Sequence, residues 1–254
     1  MIAYLEEECK AAGGAIVFNS AVRLIKWQQG KVQAITDDGT MYEAEQVIIA
    51  MPLGVLKAAE GEKGAVTFDP SLPEQSKALQ AMGFGAIIKI LMEFDDIFWE
   101  DQYTEQLAGK SLKTMGFILS DQPIPTWWTQ APEHSTVLTG WLGGPAALEK
   151  KDTTEEDILR LSLQSLAKIF SRDPLWLKDK LVAFAVVNWT NKPYTRGSYA
   201  YDTVNISASR QLLNQSVHNT IFFAGEYLYE GTAMGTVEAA LTSGKGVAEQ
   251  IIDL

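Results

Sequence analysis

A lysine inside an apolar segment is the first residue of this sequence whose setting could support chemistry. Lys89 lies in the stretch 83–94, which reads GFGAIIKILMEF. If this stretch is a β-strand, Lys89 shares one face with Glu93, while Ile88 and Ile90 lie on the other face. A solvated lysine near a glutamate is the ordinary interpretation, and periodicity alone favours it. The alternative is a lysine desolvated among apolar side chains, which is useful in a functional site.

A second segment with possible chemistry is 189–201, WTNKPYTRGSYAY, which holds four aromatic side chains within thirteen residues. Its proline and its glycine predict a bent segment that presents the rings of Trp189, Tyr194 and Tyr199. The negative face of such rings attracts an ammonium group. Simple packing of the rings at an interface is the alternative, and the segment by itself favours neither.

The third candidate is the turn and helix start near the carboxyl terminus. Gly225 and Glu226 end a short apolar run, and Gly235 and Thr236 precede a helical pattern that begins at Val237. The free N–H groups of a helix start attract an electron-rich ligand oxygen. A glutamate at the carboxyl end of a strand can accept hydrogen bonds from a polyol. On these grounds alone a structural role is favoured, because most such turns bind nothing.

Short apolar strands and one helix must position this turn. The runs 221–224 and 47–51 are apolar without alternation, which is typical of parallel strands covered on both faces. The region 16–44 predicts a β-meander, with turns at 28–31 and 37–40. The predicted inner face of the last helix comprises Val237, Ala240, Leu241, Gly244, Val247, Ala248 and Ile251, and its glycine allows another backbone to approach closely.

The middle of the chain has a different character. Strands are predicted at 86–94, 115–119, 136–142 and 181–189, and the pattern Thr153-x-x-Glu156 predicts the start of a helix. The proline-rich segment 121–132 is predicted to be a loop. Because the strands and the helix do not alternate strictly, we expect a mixed sheet in a second domain, inserted between two halves of the first.

Composition narrows the class of protein. The 254 residues carry a net charge of -11, which argues against a basic nucleic-acid-binding face and favours cationic partners such as amines. Cys9 is the single cysteine, and His134 and His218 lack acidic neighbours at ligand spacing, so no metal site is expected. The sequence shows neither a signal peptide nor a membrane-spanning run, so we expect a cytoplasmic protein without membrane contact.

Together these motifs are more specific than each one alone. The string 222–252, the GFG-x-x-x-K motif that ends at Lys89, and the aromatic segment closely resemble the flavin-containing amine oxidases. That family includes polyamine oxidases, monoamine oxidases and flavin-dependent histone demethylases. The resemblance covers nearly all of this chain but only the later part of the family. It implies FAD as the cofactor and a small-molecule amine as the substrate.

The resemblance also assigns cofactor contacts. In the family the glycine-acid pair contacts the ribityl chain, and the start of the last helix faces the pyrimidine edge of the flavin. An asparagine-x-x-valine stretch brings a valine backbone to the adenine, and aromatic side chains lie near the flavin. The cofactor-binding residues implied for this chain are Val22, Pro52, Trp189, Tyr194, Gly225, Glu226, Gly235, Thr236 and Val237.

For the substrate, the resemblance implies that Lys89 is catalytic, holding a water next to flavin N5, and that Tyr199 lines the amine site. Monoamine oxidases complete an aromatic cage in the loop before the last helix, where this chain has Thr232. A half-open cage with Thr232 as a substrate contact fits a polyamine or another large amine. The complete enzyme would pass a hydride from the carbon next to nitrogen to the flavin, and oxygen would reoxidise the flavin with release of hydrogen peroxide.

One family motif is missing. No G-x-G-x-x-G, which holds the pyrophosphate of FAD on a helix start, occurs in the sequence. We therefore expect an α/β plus α+β fold: a truncated FAD-binding, glutathione-reductase-like domain with an inserted mixed-sheet substrate domain. The expected segments are 1–65 (partial FAD-binding domain), 66–204 (substrate domain) and 205–254 (partial FAD-binding domain).

The missing motif leads to expectations about binding. We expect this chain alone to bind FAD weakly or not at all, and to associate either with itself or with a separate N-terminal nucleotide-binding segment. Two interpretations of other classes remain open. One is a non-catalytic remnant or subunit that acts only in association, and the other is a redox-inactive binding protein for cationic ligands.

Overall fold

The computed structural model describes residues 1–204 and 206–254 of a mixed α/β chain. Its helices are α1 (Ile2–Ala11), α2 (Leu53–Leu56), α3 (Pro73–Ala81), α4 (Gln102–Ala108), α5 (Gly144–Glu149), α6 (Glu155–Ile169), α7 (Pro174–Lys180), α8 (Ile206–Leu213) and α9 (Val237–Ile252). Short 3-10 helices are Phe98–Glu100, Trp189–Asn191 and Glu226–Leu228. No helix in the described ranges is both long and apolar enough to cross a membrane.

The strands are β1 (Val22–Gln28), β2 (Lys31–Thr36), β3 (Met41–Ala44), β4 (Val47–Ile49), β5 (Thr67–Asp69), β6 (Gly83–Phe84), β7 (Ile87–Phe94), β8 (Phe117–Leu119), β9 (Thr126–Trp128), β10 (Val137–Gly143), β11 (Leu181–Asn188), β12 (Ala200–Tyr201) and β13 (Ile221–Phe223). Several sheets result. Their strand orders are β3-β2-β1-β5, β11-β7-β10-β9-β8, β12-β6 and β13-β4.

The chain divides into two compact units. Unit 1 comprises Met1–Met82 and Asp202–Leu254, and unit 2 comprises Gly83–Tyr201. The expected boundary after residue 65 differs from this division, because β5 pairs with β1 and α3 packs against α8, which keeps both elements in unit 1. The second expected boundary falls at residue 205, which lies outside the described residues. The FAD-binding and substrate-binding roles of the segments stay predictions.

Unit 1 contains the predicted apolar strands and the predicted meander, which begins at Val22 rather than at residue 16. β1, β2 and β3 are antiparallel neighbours, and β5 runs parallel to β1 on its other side. β13 pairs with β4 in parallel, with Ile221 opposite Val47. β13 is buried along its whole length, as its unbroken apolar pattern predicts, whereas Ile48 of β4 is 43% exposed.

The last helix of unit 1 differs from its prediction. Val247 and Ile251 of α9 pack against Phe222 and Ala224, which confirms part of the predicted face. The earlier members of that face, Val237 and Leu241 among them, are exposed, and the buried residue at this end of the helix is Ala239, which lies outside the predicted face. At Gly244 a Cβ would meet nothing within 4 Å, so the predicted close approach of another backbone is wrong within the described residues.

The large sheet of unit 2 is antiparallel between all neighbouring strands, so the predicted mixed sheet is wrong. Strands and helices do not alternate strictly in this region, yet every neighbouring pair is antiparallel: β10 pairs with β7 and β9, β11 with β7, and β8 with β9. The segment 121–132, predicted as a loop, contains β9 of this sheet. Alternation explains why, since Trp127 is fully buried and Trp128 lies on the opposite face.

One face of this sheet packs on α6 to form the main core of unit 2. Ile88, Ile90 and Met92 of β7 are fully buried there, together with Ile158 and Leu166 of α6. The helix begins one residue later than predicted: Thr154 rather than Thr153 accepts a hydrogen bond from the Asp157 amide, at 3.1 Å. The opposite face of the sheet carries the side chains considered next.

Candidate functional site

Lys89 lies in the middle of the large sheet, on the face opposite the core. It is half-buried on β7, directly opposite Trp141 of β10 and Val187 of β11. Its ammonium lies over the ring of Trp128, with Nζ 5.8 Å from the ring centroid. The setting is therefore neither the fully solvated face nor the apolar interior that the sequence left open. It is an aromatic surface.

Four rings form a continuous row on this face of unit 2, named here the aromatic row: Phe117, Trp128, Trp141 and Tyr199. Successive ring centroids are 5.9, 6.0 and 6.3 Å apart, which is contact distance for aromatic pairs. The rings come from three adjacent strands and the segment before β12. Trp128 and Trp141 were not identified as site residues from the sequence.

Glycines make room for tryptophan rings on both faces of this sheet. Gly140 lies opposite Trp127, and a Cβ there would lie 2.7 Å from that buried ring. A Cβ on Gly143 would lie 2.7 Å from Nε1 of Trp141. In each case the absence of a Cβ on the glycine leaves room for a bulky ring. The TGWLGG pattern was the available signal, and it becomes readable only once the strand pairing is known.

The GFG motif and the aromatic segment, recognised separately in the sequence, lie against each other in unit 2. The Gly85 amide donates to the Tyr199 carbonyl at 3.1 Å, and the Ser198 amide donates to the Gly85 carbonyl at 2.8 Å. Gly83 lies under the ring of Tyr201, where a Cβ would approach that ring to 2.4 Å. This pairing places Tyr199 beside Trp141 and so joins it to the row.

The other aromatic residues predicted near the cofactor have a different setting. Trp189 begins a 3-10 helix and is 41% exposed, and Tyr194 is 47% exposed in the turn that follows. Thr190 fixes this segment to the start of β7, because its hydroxyl accepts from the Ile87 amide at 2.8 Å. The ring that contacts Tyr199 is that of Trp141, so the aromatic surface is built mainly by the sheet.

In unit 1, the glycine-acid turn and the start of α9 are joined by a hydrogen bond. Gly225 follows β13, and a carboxylate oxygen of Glu226 accepts from the Gly235 amide at 3.1 Å. Gly235 has φ +79°, a left-handed conformation suited to glycine. Thr236 is the N-cap of α9, with its hydroxyl accepting from the Ala239 amide at 3.2 Å. The helix begins at Val237, as predicted, and the structure adds the cap by Thr236 and the link to Glu226.

The remaining predicted contacts of unit 1 lie at the ends of elements. Val22 is half-buried at the start of β1, and Pro52 is exposed as the N-cap of α2. Val237 is 59% exposed in the first turn of α9, and Thr232 is exposed in the loop before it. None of these positions was tested beyond its placement, so their cofactor and substrate roles stay predictions.

A buried arginine that sequence reasoning missed supports the same loop. Arg210 of α8 is 6% exposed, donates from Nε to the Tyr227 carbonyl at 3.1 Å, and forms an ion pair with Asp202. Its guanidinium also contacts the sulfur of Met234 at 2.7 Å. Burial, with a smaller effect of the Glu226 carboxylate, raises the pKa of the Tyr227 phenol. No sequence pattern marked Arg210, because its partners are distant in the chain.

Among the described residues, no group of three or more histidine, cysteine, aspartate or glutamate side chains is placed to hold a metal ion. The arrangement offers two other capabilities. Unit 2 presents an aromatic surface with one ammonium group, and unit 1 presents a helix start beside an acidic turn.

The comparisons with known proteins agree with one another. The family model described as flavin containing amine oxidoreductase matches residues 1–252. Polyamine oxidase 4 of rice is 29% identical over 243 residues, covering 94% of this chain and 46% of that protein. Lysine-specific histone demethylase 1 homolog 3 of Arabidopsis thaliana is 29% identical over 226 residues, covering 88% of this chain and 13% of that protein.

The fold agrees with these matches. A solved structure of wild-type putrescine oxidase bound to putrescine superposes with a TM-score of 0.72 at 19% identity, covering 97% of this chain and 51% of that one. At this identity the likeness concerns the fold alone. The chain spans about half the length of the two oxidases and a smaller part of the demethylase.

Proposed function

This chain belongs to the family of flavin-containing amine oxidoreductases, and from that premise we propose that it forms the carboxy-terminal portion of an FAD-dependent amine oxidase. The proposed reaction oxidises an amine, with polyamines as the favoured class, to an imine and yields hydrogen peroxide. The observation that carries the proposal is the aromatic row with Lys89 beside it. The expected truncated FAD-binding domain is part of the same proposal.

The residues of unit 1 fit part of FAD. The amides of Val237 and Glu238 at the start of α9 have no acceptor among the described residues, which leaves donors for an electron-rich ring edge. Glu226 lies at the carboxyl end of β13, where it can accept from ribityl hydroxyls. Together with Gly225, Gly235 and Thr236 they form the proposed contacts to the ring and its chain.

When bound, FAD supplies the acceptor for a hydride from the carbon next to the amine nitrogen. The chain's own residues bind and orient. The rings of Tyr199 and Trp141 present apolar, electron-rich faces to an amine and exclude water from its carbon chain. Lys89 presents its N–H donors on the same face, which suits the proposed task of holding a water. Thr232 is the proposed additional substrate contact.

The proposal is tested by reconstituting an FAD-loaded enzyme. The chain is coexpressed with the part of rice Polyamine oxidase 4 that it does not cover, and this pair is called the assembled enzyme. Anaerobic addition of spermine, N1-acetylspermine or putrescine should bleach the flavin absorbance, and hydrogen peroxide should form when air is admitted. A Tyr199→Ala variant should bind FAD normally and reduce it more slowly, because one face of the amine site is removed.

One result would overturn the proposed reaction, and another would change its substrate. An assembled enzyme that binds FAD but is not reduced by any of these amines, nor by an N-methyl-lysine peptide, would exclude the reaction class. Reduction by the peptide alone would keep the reaction and replace the polyamine as its substrate. The peptide is included because demethylases are among the relatives.

The alternative is a non-catalytic subunit that acts only in association. The observation favouring it is that α1 of unit 1 has no buried residue, although it carries Ile2, Tyr4 and Leu5. Such a subunit would bind a protein partner through these side chains without any flavin. Coexpression separates the two functions, because a stable assembled enzyme without FAD or turnover supports the subunit and contradicts the oxidase.

A further inference from the structure

The ammonium of Lys89 has an unusual partner. Among residues 1–204 and 206–254 it makes no ion pair and no hydrogen bond, and its neighbour is the ring of Trp128 at 5.8 Å from the centroid. That distance is within the range of about 6 Å over which a ring face attracts a cation. The side chain of Lys89 is half-buried.

The position of the Trp128 ring is itself fixed from several sides. Its neighbour Trp127 is anchored in the core, with Nε1 donating to the Ile124 carbonyl at 2.9 Å, and this sets the register of β9. Phe117 lies directly opposite Trp128 on β8, and Trp141 contacts it from β10. A ring held between two others has little freedom to turn away from Lys89.

A ring differs from a carboxylate as a partner for a lysine. A carboxylate would accept from the ammonium and neutralise its charge, which uses up donors. The face of a ring attracts the cation without accepting a conventional hydrogen bond, so the three N–H donors of the ammonium stay available to water or a ligand. A lysine that must hold a water is therefore better placed by an aromatic ring than by an ion pair.

We infer that Trp128 is a positioning residue that fixes the ammonium of Lys89 through its ring face, and that Phe117 and Trp141 hold this ring in place. The role assigned to Lys89 rests on the proposed function. The placement of its ammonium does not, and it can be measured on the chain without FAD. The ring current of an indole shifts the signals of protons above its face upfield, so NMR reports the contact directly.

The experiment records the ε-methylene signals of the chain labelled with 13C-lysine. One upfield-shifted signal should disappear in Lys89→Met, which assigns it to Lys89. In Trp128→Ile, which keeps a strand-forming residue, this signal should move to the position of exposed lysines. In Trp128→Phe, which restores a ring, it should remain upfield by a smaller amount.

Unit 2 contains a matched control for these variants. Lys180 lies over the ring of Trp176, with Nζ 5.2 Å from the centroid, and should also give a shifted signal. That signal should not change in Trp128→Ile, which shows that the unit is folded. An unchanged Lys89 signal in the folded variant would overturn the inference.

If Trp128→Ile does not fold, the same contact can be measured on the signal of Trp128. Lys89→Met should shift the indole N–H signal of Trp128, whereas the exposed Lys110→Met should leave it in place. An indole N–H signal of Trp128 that does not move in Lys89→Met would also overturn the inference.

The assembled enzyme separates this inference from the proposed function. Trp128→Ile should lower turnover as much as Lys89→Met, the double variant should lose no more, and Trp128→Phe should recover part of the rate. Full turnover in Trp128→Ile would refute the positioning role. If no version of the enzyme turns over but the ring shift is present, the proposed function fails and the placement of Lys89 stands.

Discussion

At the scale of single residues, the surroundings of Lys89 are set by side chains from neighbouring strands. Periodicity could place it on a strand face but could not say what covers that face. The structure places Trp128 below its ammonium and Trp141 opposite its backbone. These partners come from strands more than thirty residues away in the chain, so no local pattern around Lys89 contains them. Glu93, the neighbour on its own strand, is exposed and forms no ion pair with it among the described residues.

A first prediction concerns the charge of Lys89. Lys89→Met keeps the apolar stem and removes the ammonium, so the assembled enzyme should fold and hold FAD normally. Its turnover should fall by about 100-fold, the lower end of what a group that handles protons contributes. Stopped-flow absorbance would follow anaerobic reduction and aerobic reoxidation of the flavin separately. Equal rates for parent and variant in both steps would make Lys89 an ordinary strand residue.

A second prediction concerns the buried phenol of Tyr227. Burial raises its pKa above the ordinary value of 10.0, so the unfolded chain loses this proton first as the pH rises. The stability that the neutral phenol provides is therefore complete below pH 10 and is lost above it, by about 1.4 kcal/mol per pH unit for one proton. Tyr227→Phe should remove this loss.

Urea unfolding at neutral and alkaline pH measures the effect of Tyr227. The free energy of unfolding of parent and Tyr227→Phe should differ little near pH 7, and the parent should fall more steeply above pH 10. Exposed tyrosines offer a control, since Tyr42→Phe, at 40% exposure in unit 1, should behave like the parent. Parallel curves for parent and Tyr227→Phe would show that burial does not hold this proton.

At the scale of elements, the strands and helices with long, clear patterns follow from the sequence. β7, β10 and β11 begin and end within about two residues of their predicted positions, and so does the parallel strand β13. β9 was not predicted, because it has only three residues and lies inside a proline-rich segment with the composition of a loop. The predicted direction of strand pairing was wrong for a different reason. Whether two strands run parallel or antiparallel depends on which strands become neighbours in the fold, and the sequence of one strand does not contain that information.

The sheet also gives a prediction about its glycines. Gly140→Ala would place a Cβ 2.7 Å from the fully buried ring of Trp127, which must shift or distort β9. We expect a loss of about 1–3 kcal/mol in the free energy of unfolding, as for other overpacked cores. The Lys89 NMR signal should move as well, because Trp128 follows the displaced residue.

Gly116→Ala is the matched control, since a Cβ there meets nothing within 4 Å. Unfolding is followed by tryptophan fluorescence, which reports mainly on unit 2, because Trp27 is the single tryptophan of the seven in unit 1. Equal stability of Gly140→Ala and Gly116→Ala would show that the packing of Trp127 tolerates the extra carbon.

At the scale of the whole molecule, binding of FAD tests how far the residues of unit 1 suffice. The contacts proposed for Glu226, Gly235 and Thr236 serve the ring and its chain, whereas no G-x-G-x-x-G is present for the pyrophosphate. The chain by itself should therefore bind FAD weakly, and dialysis should remove it. Purified yellow protein that keeps one FAD per chain after dialysis would contradict this, and would show that the described contacts are enough.

The last prediction follows from the apolar side chains that unit 1 exposes. α1 has no buried residue, and the segment after it exposes Val17 at 55% and Phe18 at 74%. Monomeric proteins seldom leave such side chains grouped along the chain without a partner, because covering them is favourable by about 25 cal/mol per Å². We therefore expect the chain alone to self-associate, with a sedimentation coefficient that rises with concentration. Phe18→Ser should weaken this association, whereas Leu175→Ser, at 69% exposure in unit 2, should not. A parent chain that sediments as a monomer at all concentrations would refute the prediction. Equal effects of both substitutions would show that the association is non-specific and does not depend on this part of unit 1.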